Sequence, residues 1–97
     1  MAEFDLIRQL PHSQEAEQAL LGAVLLDPEK FNEIVFLKPE YFYEEQHQQI
    51  YTAMLEMYNT NRSIEIVNLV DTLTRLGLFN DGNAYKYIKL LCDLSLI

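Results

Sequence analysis

The sequence predicts an all-α fold of five to six helices, and three observations carry that reading. Apolar residues recur at steps of three and four almost throughout the chain. Gly and Pro number three each in 97 residues, too few for a turn-rich barrel or a linker. Apolar residues make up 49% and charged residues 23%, too hydrophobic a balance for a disordered tail.

Residues 1–10 read as a flexible arm, with Phe4, Leu6, Ile7 and Leu10 able to dock on the body, and Pro11 closes it off. Residues 11–97 then form one helical head. Ser13 is the expected N-cap of a first helix over residues 14–26, with Glu15 and Glu17 favoured by the helix dipole in its first turn. Ala16, Ala19, Leu20, Ala23 and Val24 share one face, and Leu21 and Leu25 form a second stripe. Gly22 costs about 1 kcal/mol of helix propensity there, so close approach of another helix is its expected reason.

Asp27-Pro28 stops that helix and starts a short second one, with Phe31, Ile34 and Val35 inward. Lys38-Pro39 breaks it, and residues 40–43 read as a tight turn carrying Tyr41, Phe42 and Tyr43 into the core. The third helix, residues 44–58, turns His47, Ile50, Tyr51, Met54, Leu55 and Tyr58 inward. A polar loop, residues 59–63, precedes a fourth helix over 66–76 that buries Ile66, Leu69, Val70 and Leu73. Gly77 is its left-handed cap. Asn80-Asp81-Gly82 is a turn. The fifth helix starts at Ala84 and turns Ala84, Tyr87, Ile88 and Leu91 inward, while Leu90, Leu94 and Ile97 continue on an adjoining face. The apolar ending Leu94-Ser95-Leu96-Ile97 predicts a fragment of a longer protein, because such a stripe calls for a partner surface. The expected core is Ala16, Leu20, Val24, Phe31, Ile50, Tyr51, Leu69, Leu73 and Tyr87.

Charge narrows the function. Seven Lys and Arg against fifteen Asp and Glu leave a net charge of −8. Residues 1–61 hold eleven acidic and three basic residues, and the remainder holds four of each. No segment gathers the basic patch that phosphate neutralisation needs, so strong direct nucleic-acid binding is not expected. Protein partners are. The longest apolar run, residues 19–26, is less than half of the ~20 that span a bilayer. The acidic opening Met1-Ala2-Glu3-Phe4-Asp5 is no export signal, so a cytoplasmic location is expected and no membrane partner.

No chemistry stands out. Glu44-x-x-His47 has the spacing of half a di-metal site, but no second pair completes it, because His12 lacks a Glu three residues earlier. A hydrogen-bonded core histidine is the expected role of His47. The carboxylates Glu44 and Glu45 diverge on a helix, and so do Glu15 and Glu17, whose expected role is that of helix-start charges. Cys92, one turn after Lys89, is expected to be a buried inert thiol. Gly22, Gly77 and Gly82 are isolated and form no phosphate loop. The catalytic, cofactor and metal assignments are therefore none. Met57, at the border of the third helix's apolar face, and Tyr85, off the fifth helix's inward stripe, are candidate partner contacts.

The order of elements carries a resemblance. Pro11-His12-Ser13-Gln14-Glu15-Ala16-Glu17, then Leu21-Gly22 and Leu26-Asp27, is similar to the opening of the N-terminal domain of bacterial replicative DNA helicases, the DnaB-like family. The likeness continues through Phe42-Tyr43, His47, Ile50-Tyr51, Ile64-Glu65, Leu69, Leu73, Gly77, Gly82 and Tyr85. Glu65 stands where the family usually has Asp, and Gly82-Asn83 replaces a common Gly-Gly. The resemblance implies a compact orthogonal helical bundle, whose family counterpart continues into a helical hairpin, a linker and an ATPase domain beyond residue 97.

It also implies an assembly domain without ATPase activity that docks the C-terminal helical domain of primase. Its other implied partners are further helicase subunits in a homohexamer and a helicase loader. ATP and Mg²⁺ would then belong to the ATPase domain, and the setting would be the nucleoid and replisome. Because pairing of such heads depends on the hairpin, the expected state of this chain is monomeric or weakly dimeric. An independent helical adaptor and a small metal or thiol enzyme are the competing readings.

Overall fold

The computed structural model describes residues 13–79 and 82–96. The expected arm, with Phe4, Leu6, Ile7 and Leu10, lies outside the described residues, as do Pro11, His12, Asn80, Asp81 and Ile97. The described residues form four α-helices and two 3₁₀ segments, with no strand among them.

Helix α1, Gln14–Leu26, starts at the expected cap, where the Ser13 hydroxyl accepts the Ala16 N–H at 3.1 Å. Its inward face differs from the expected one. Leu21, Gly22 and Val24 are buried with Leu20 and Leu25 beside them, whereas Ala16 is exposed and does not belong to the core. The reason is area. Burial free energy follows apolar surface, so leucines and a valine outweigh a stripe of alanines in choosing which face turns in. That choice also turns Glu17 inward, four residues before Leu21 on the same face.

Asp27 ends α1, and a 3₁₀ segment, Pro28–Glu33, follows with Phe31 buried. A second, Pro39–Tyr41, leads into helix α2, Glu45–Asn59. Helix α2 is central, touching α1, the second 3₁₀ segment and helix α3, Ile66–Arg75. It therefore buries more than a stripe: His47, Ile50, Tyr51, Ala53, Met54 and Met57. Met57 was expected at a border facing a partner; it is fully buried, because α2 is covered from several sides. Tyr58 is the converse. Expected inward, it is 38% exposed, with its hydroxyl on the Asn32 side chain at 2.8 Å and its ring 5.3 Å from Phe31. Of the expected aromatic turn, Phe42 is buried, Tyr41 is half-buried and Tyr43 is exposed.

Tyr51 organises this end of the core. Its ring lies 5.4 Å from Phe31 and 5.2 Å from Phe42, and its hydroxyl donates to the Ile34 and Leu37 carbonyls. The connection between the 3₁₀ segments is thereby tied to α2, and burial pushes the phenol up to about 12.

Helix α3 buries Leu69, Thr72 and Leu73. Gly77, at φ +73°, closes it: the Leu78 N–H returns to the Leu73 carbonyl and the Gly77 N–H to the Thr74 carbonyl. Helix α4, Ala84–Ser95, buries Ala84, Ile88 and Leu91 and packs on α1 and α3. The close approach expected at Gly22 is here. A β-carbon at that position would collide with the Ser95 hydroxyl and stand 2.6 Å from the Leu91 carbonyl oxygen.

Candidate functional site

Two features of the described residues bear on function: a buried chain of polar side chains and an outward apolar groove. The polar chain begins with a helix that cannot cap itself. Glu44, the N-cap of α2, makes no side-chain capping bond. The first backbone N–H groups of a helix need acceptors, and a carboxylate is favoured there by the dipole. Glu17 supplies both from α1. Its carboxylate accepts the Tyr43 N–H at 2.7 Å and the Glu44 N–H at 3.3 Å. The charge expected to serve its own helix start thus secures the start of another.

The same carboxylate meets His47 Nδ1 at 2.7 Å, and His47 Nε2 lies 2.6 Å from the Tyr87 hydroxyl of α4. Gln18 of α1 adds its side-chain nitrogen to that hydroxyl at 3.2 Å. The His47 and Tyr87 rings also stack, with centroids 5.8 Å apart, and Phe79 backs Tyr87. His47 is fully buried and has both ring nitrogens engaged, which is how a buried imidazole avoids the cost of unmade hydrogen bonds.

The hydroxyl in this carboxylate–histidine–hydroxyl series belongs to a half-buried tyrosine packed under Phe79, whereas a nucleophile needs an open approach. The arrangement is a three-helix fastener. Among the described residues, no three His, Cys, Asp or Glu side chains cluster to hold a metal ion, and the nitrogens of His47 face Glu17 and Tyr87. Burial pushes the Cys92 thiol up, the Asp93 carboxylate adds to this, and Lys89 opposes it. That direction suits an inert thiol.

The apolar surface runs along α1 and α4. Ala19, Ala23 and Leu26 face Leu94 and Ser95 across a groove of about 380 Å³, with Asp27 and Lys30 at one end. Leu90 is exposed one turn before Leu94, whereas Tyr85, nine residues before Leu94, is exposed on the opposite flank of α4. Of the residues expected in the core, Val24, Phe31, Ile50, Tyr51, Leu69 and Leu73 are buried, while Leu20 and Tyr87 are half-buried. Of the two candidate partner contacts, Tyr85 is 53% exposed and Met57 is enclosed. The sequence reading did not bring Glu17 and Gln18 together with His47. The available signal was a helix start lacking its own Ser, Thr, Asp or Asn beside a histidine on an apolar stripe.

The described residues thus form an all-helical domain with a fastened polar interior and apolar side chains on its surface. Comparison with known proteins carries this further. Residues 9–95 match the family described as the DnaB-like helicase N terminal domain. The chain is 37% identical over 80 residues to the Replicative DNA helicase DnaB of Rhodothermus marinus, covering 81% of this chain and 8% of that protein. With the protein of the same name from Geobacillus stearothermophilus it shares 35% over 96 residues, covering 96% and 21% respectively. The crystal structure of the N-terminal domain of DnaB helicase from Mycobacterium tuberculosis superposes with a TM-score of 0.80 at 30% identity, covering 89% of this chain and 60% of that one. The chain belongs to the DnaB-like helicase N-terminal domain family. This selects the helicase-domain reading over an unrelated adaptor. The chain spans about a fifth or less of the length of these and similar curated relatives. What matches is the N-terminal domain, a non-ATPase portion of a helicase.

Proposed function

We propose that this chain is the assembly and partner-docking head of a replicative DNA helicase. The observation that carries the reading is the match across residues 9–95 to the N-terminal domain family, whose relatives bear the name replicative helicase. The whole protein would be a homohexamer that unwinds duplex DNA at the fork, with ATP and Mg²⁺ held by its ATPase domain. This head would contribute contacts between subunits and to the C-terminal domain of primase, and a helicase loader would be a further partner. The working site is the replisome on the nucleoid. Residues 1–10 would serve as an arm and 11–97 as the head.

The apolar residues beside the α1–α4 groove support a docking role, since Leu26, Leu90 and Leu94 reach the surface, and Tyr85 offers a second exposed contact on the other flank of α4. Calorimetric titration of the chain with the primase C-terminal domain tests it. Saturable binding is expected, weakened roughly tenfold or more by Tyr85→Ala or Leu94→Glu if either is an anchor. A titration of folded chain without heat or saturation would overturn primase docking by this head. Light scattering is expected to give a monomer or a weak dimer, and a stable hexamer would overturn the assignment of ring contacts to other parts of the protein.

A further inference from the structure

His47 is the one fully buried imidazole among the described residues, and its hydrogen bonds have a direction. A neutral imidazole donates from one nitrogen and accepts at the other. Glu17, already accepting two backbone N–H groups, also accepts a hydrogen bond from Nδ1–H. The Nε2 lone pair is left facing the Tyr87 hydroxyl, which donates to it. The oxygen of that hydroxyl accepts from the Gln18 amide nitrogen. Donation therefore runs from Gln18 to Tyr87 to His47 to Glu17.

A proton taken from solvent onto Nε2 breaks that sense of direction. Both ring nitrogens now donate, Nδ1 still to Glu17 and Nε2 to the Tyr87 oxygen. The Tyr87 hydroxyl hydrogen must leave the His47 side, where it would meet the Gln18 amide nitrogen, another donor. Turning the Gln18 amide over presents its carbonyl oxygen in place of its nitrogen and restores every bond. We propose that Glu17, His47, Tyr87 and Gln18 form a proton-responsive relay in which charging His47 reverses the hydrogen bond between Tyr87 and Gln18.

The groups facing His47 are few. Helix α1 presents Glu17, α4 presents Tyr87, and the corner before α2 presents Glu44, whose N–H the Glu17 carboxylate holds. The segment after α3 presents the uncharged Phe79 ring against Tyr87. The His47–Glu17 pair carries one negative charge before the proton arrives and none after it, and the hydrogen-bond rearrangement passes outward through Tyr87. It ends at the side chain of Gln18 on α1. The relay thus carries the charge state of a buried residue on α2 to a half-buried side chain on α1.

Nuclear magnetic resonance on the isotope-labelled full chain tests this, following the His47 ring nitrogens and the Gln18 side-chain amide as the pH is lowered. Neutral His47 is expected as the Nδ1–H tautomer, with the Gln18 resonances moving at the same midpoint as the ring. Tyr87→Phe is expected to leave the His47 titration in place while Gln18 stops following it. A proton on Nε2 of neutral His47, or a Gln18 amide indifferent to the titration, would overturn the relay. So would a His47 that keeps one charge state throughout the range in which the chain stays folded.

Discussion

Replacing Gly22 with Ala adds one carbon at the tightest crossing in the fold. The new β-carbon would stand 2.6 Å from the Leu91 carbonyl oxygen and on top of the Ser95 hydroxyl, where ordinary contact begins at 3.4 Å. The serine can rotate away, but the carbonyl is helix backbone. Helices α1 and α4 must therefore separate by about 0.8 Å along a shared face that includes Leu21 and Leu91. Overpacking costs about 1–3 kcal/mol, and a clash with helix backbone falls in the upper part of that range, about 2–3 kcal/mol. The substitution also recovers about 1 kcal/mol of helix propensity, so the net expectation is a loss of roughly 1–2 kcal/mol. For a chain of this length that lowers the melting temperature by roughly 5–15 °C.

Circular dichroism melts of the two chains read the difference directly. A companion substitution separates the two clashing atoms. Ser95 carries a buried hydroxyl without a hydrogen-bond partner, so Ser95→Ala alone is expected to be neutral or stabilising by up to about 1 kcal/mol. Combined with Gly22→Ala it should recover part of the loss, because the Leu91 carbonyl stays in place. A Gly22→Ala chain that melts at or above the parent would refute the close crossing and the role assigned to the glycine.

Leu73→Ala and Tyr51→Ala each empty a fully buried site and are expected to cost about 2–5 kcal/mol in urea denaturation. Tyr51 also makes stability fall in alkali: its phenol is raised to about 12 against an ordinary 10, so its contribution is complete below pH 10 and is lost as pH rises toward 12. The loss amounts to roughly 2–3 kcal/mol and should vanish from the pH profile of Tyr51→Phe. Glu17→Ala strips acceptors from the His47 ring and from the Tyr43 N–H, for an expected loss of about 2–4 kcal/mol in the same denaturation assay.

The helices were legible because their apolar period and their punctuation agree. Ser13 caps α1, Pro28 opens the first 3₁₀ segment and Gly77 closes α3, as the local sequence requires. What the period does not settle is phase. In α1 the alanines at 16, 19 and 23 and the leucines at 21 and 25 each describe a plausible stripe, and alanine carries too little surface to vote strongly. Met57 and Tyr58 exchange their expected roles for a related reason. A central helix buries an arc wider than a stripe, and its edges are set by neighbours far along the chain.

The same logic explains why a polar cluster could hide in a helical sequence. Glu17 looks like a first-turn charge because Ser13 precedes it and the dipole favours it there. Once Leu21 and Val24 choose the inward face, however, Glu17 is carried in with them by helical geometry. An unpartnered carboxylate there would cost several kcal/mol. It stays because α2 begins with uncapped N–H groups and a histidine one turn later, both wanting an acceptor at that place. Two local deficits, a missing cap and a buried imidazole, are each incomplete in their own segment and are met by one side chain thirty residues away from His47.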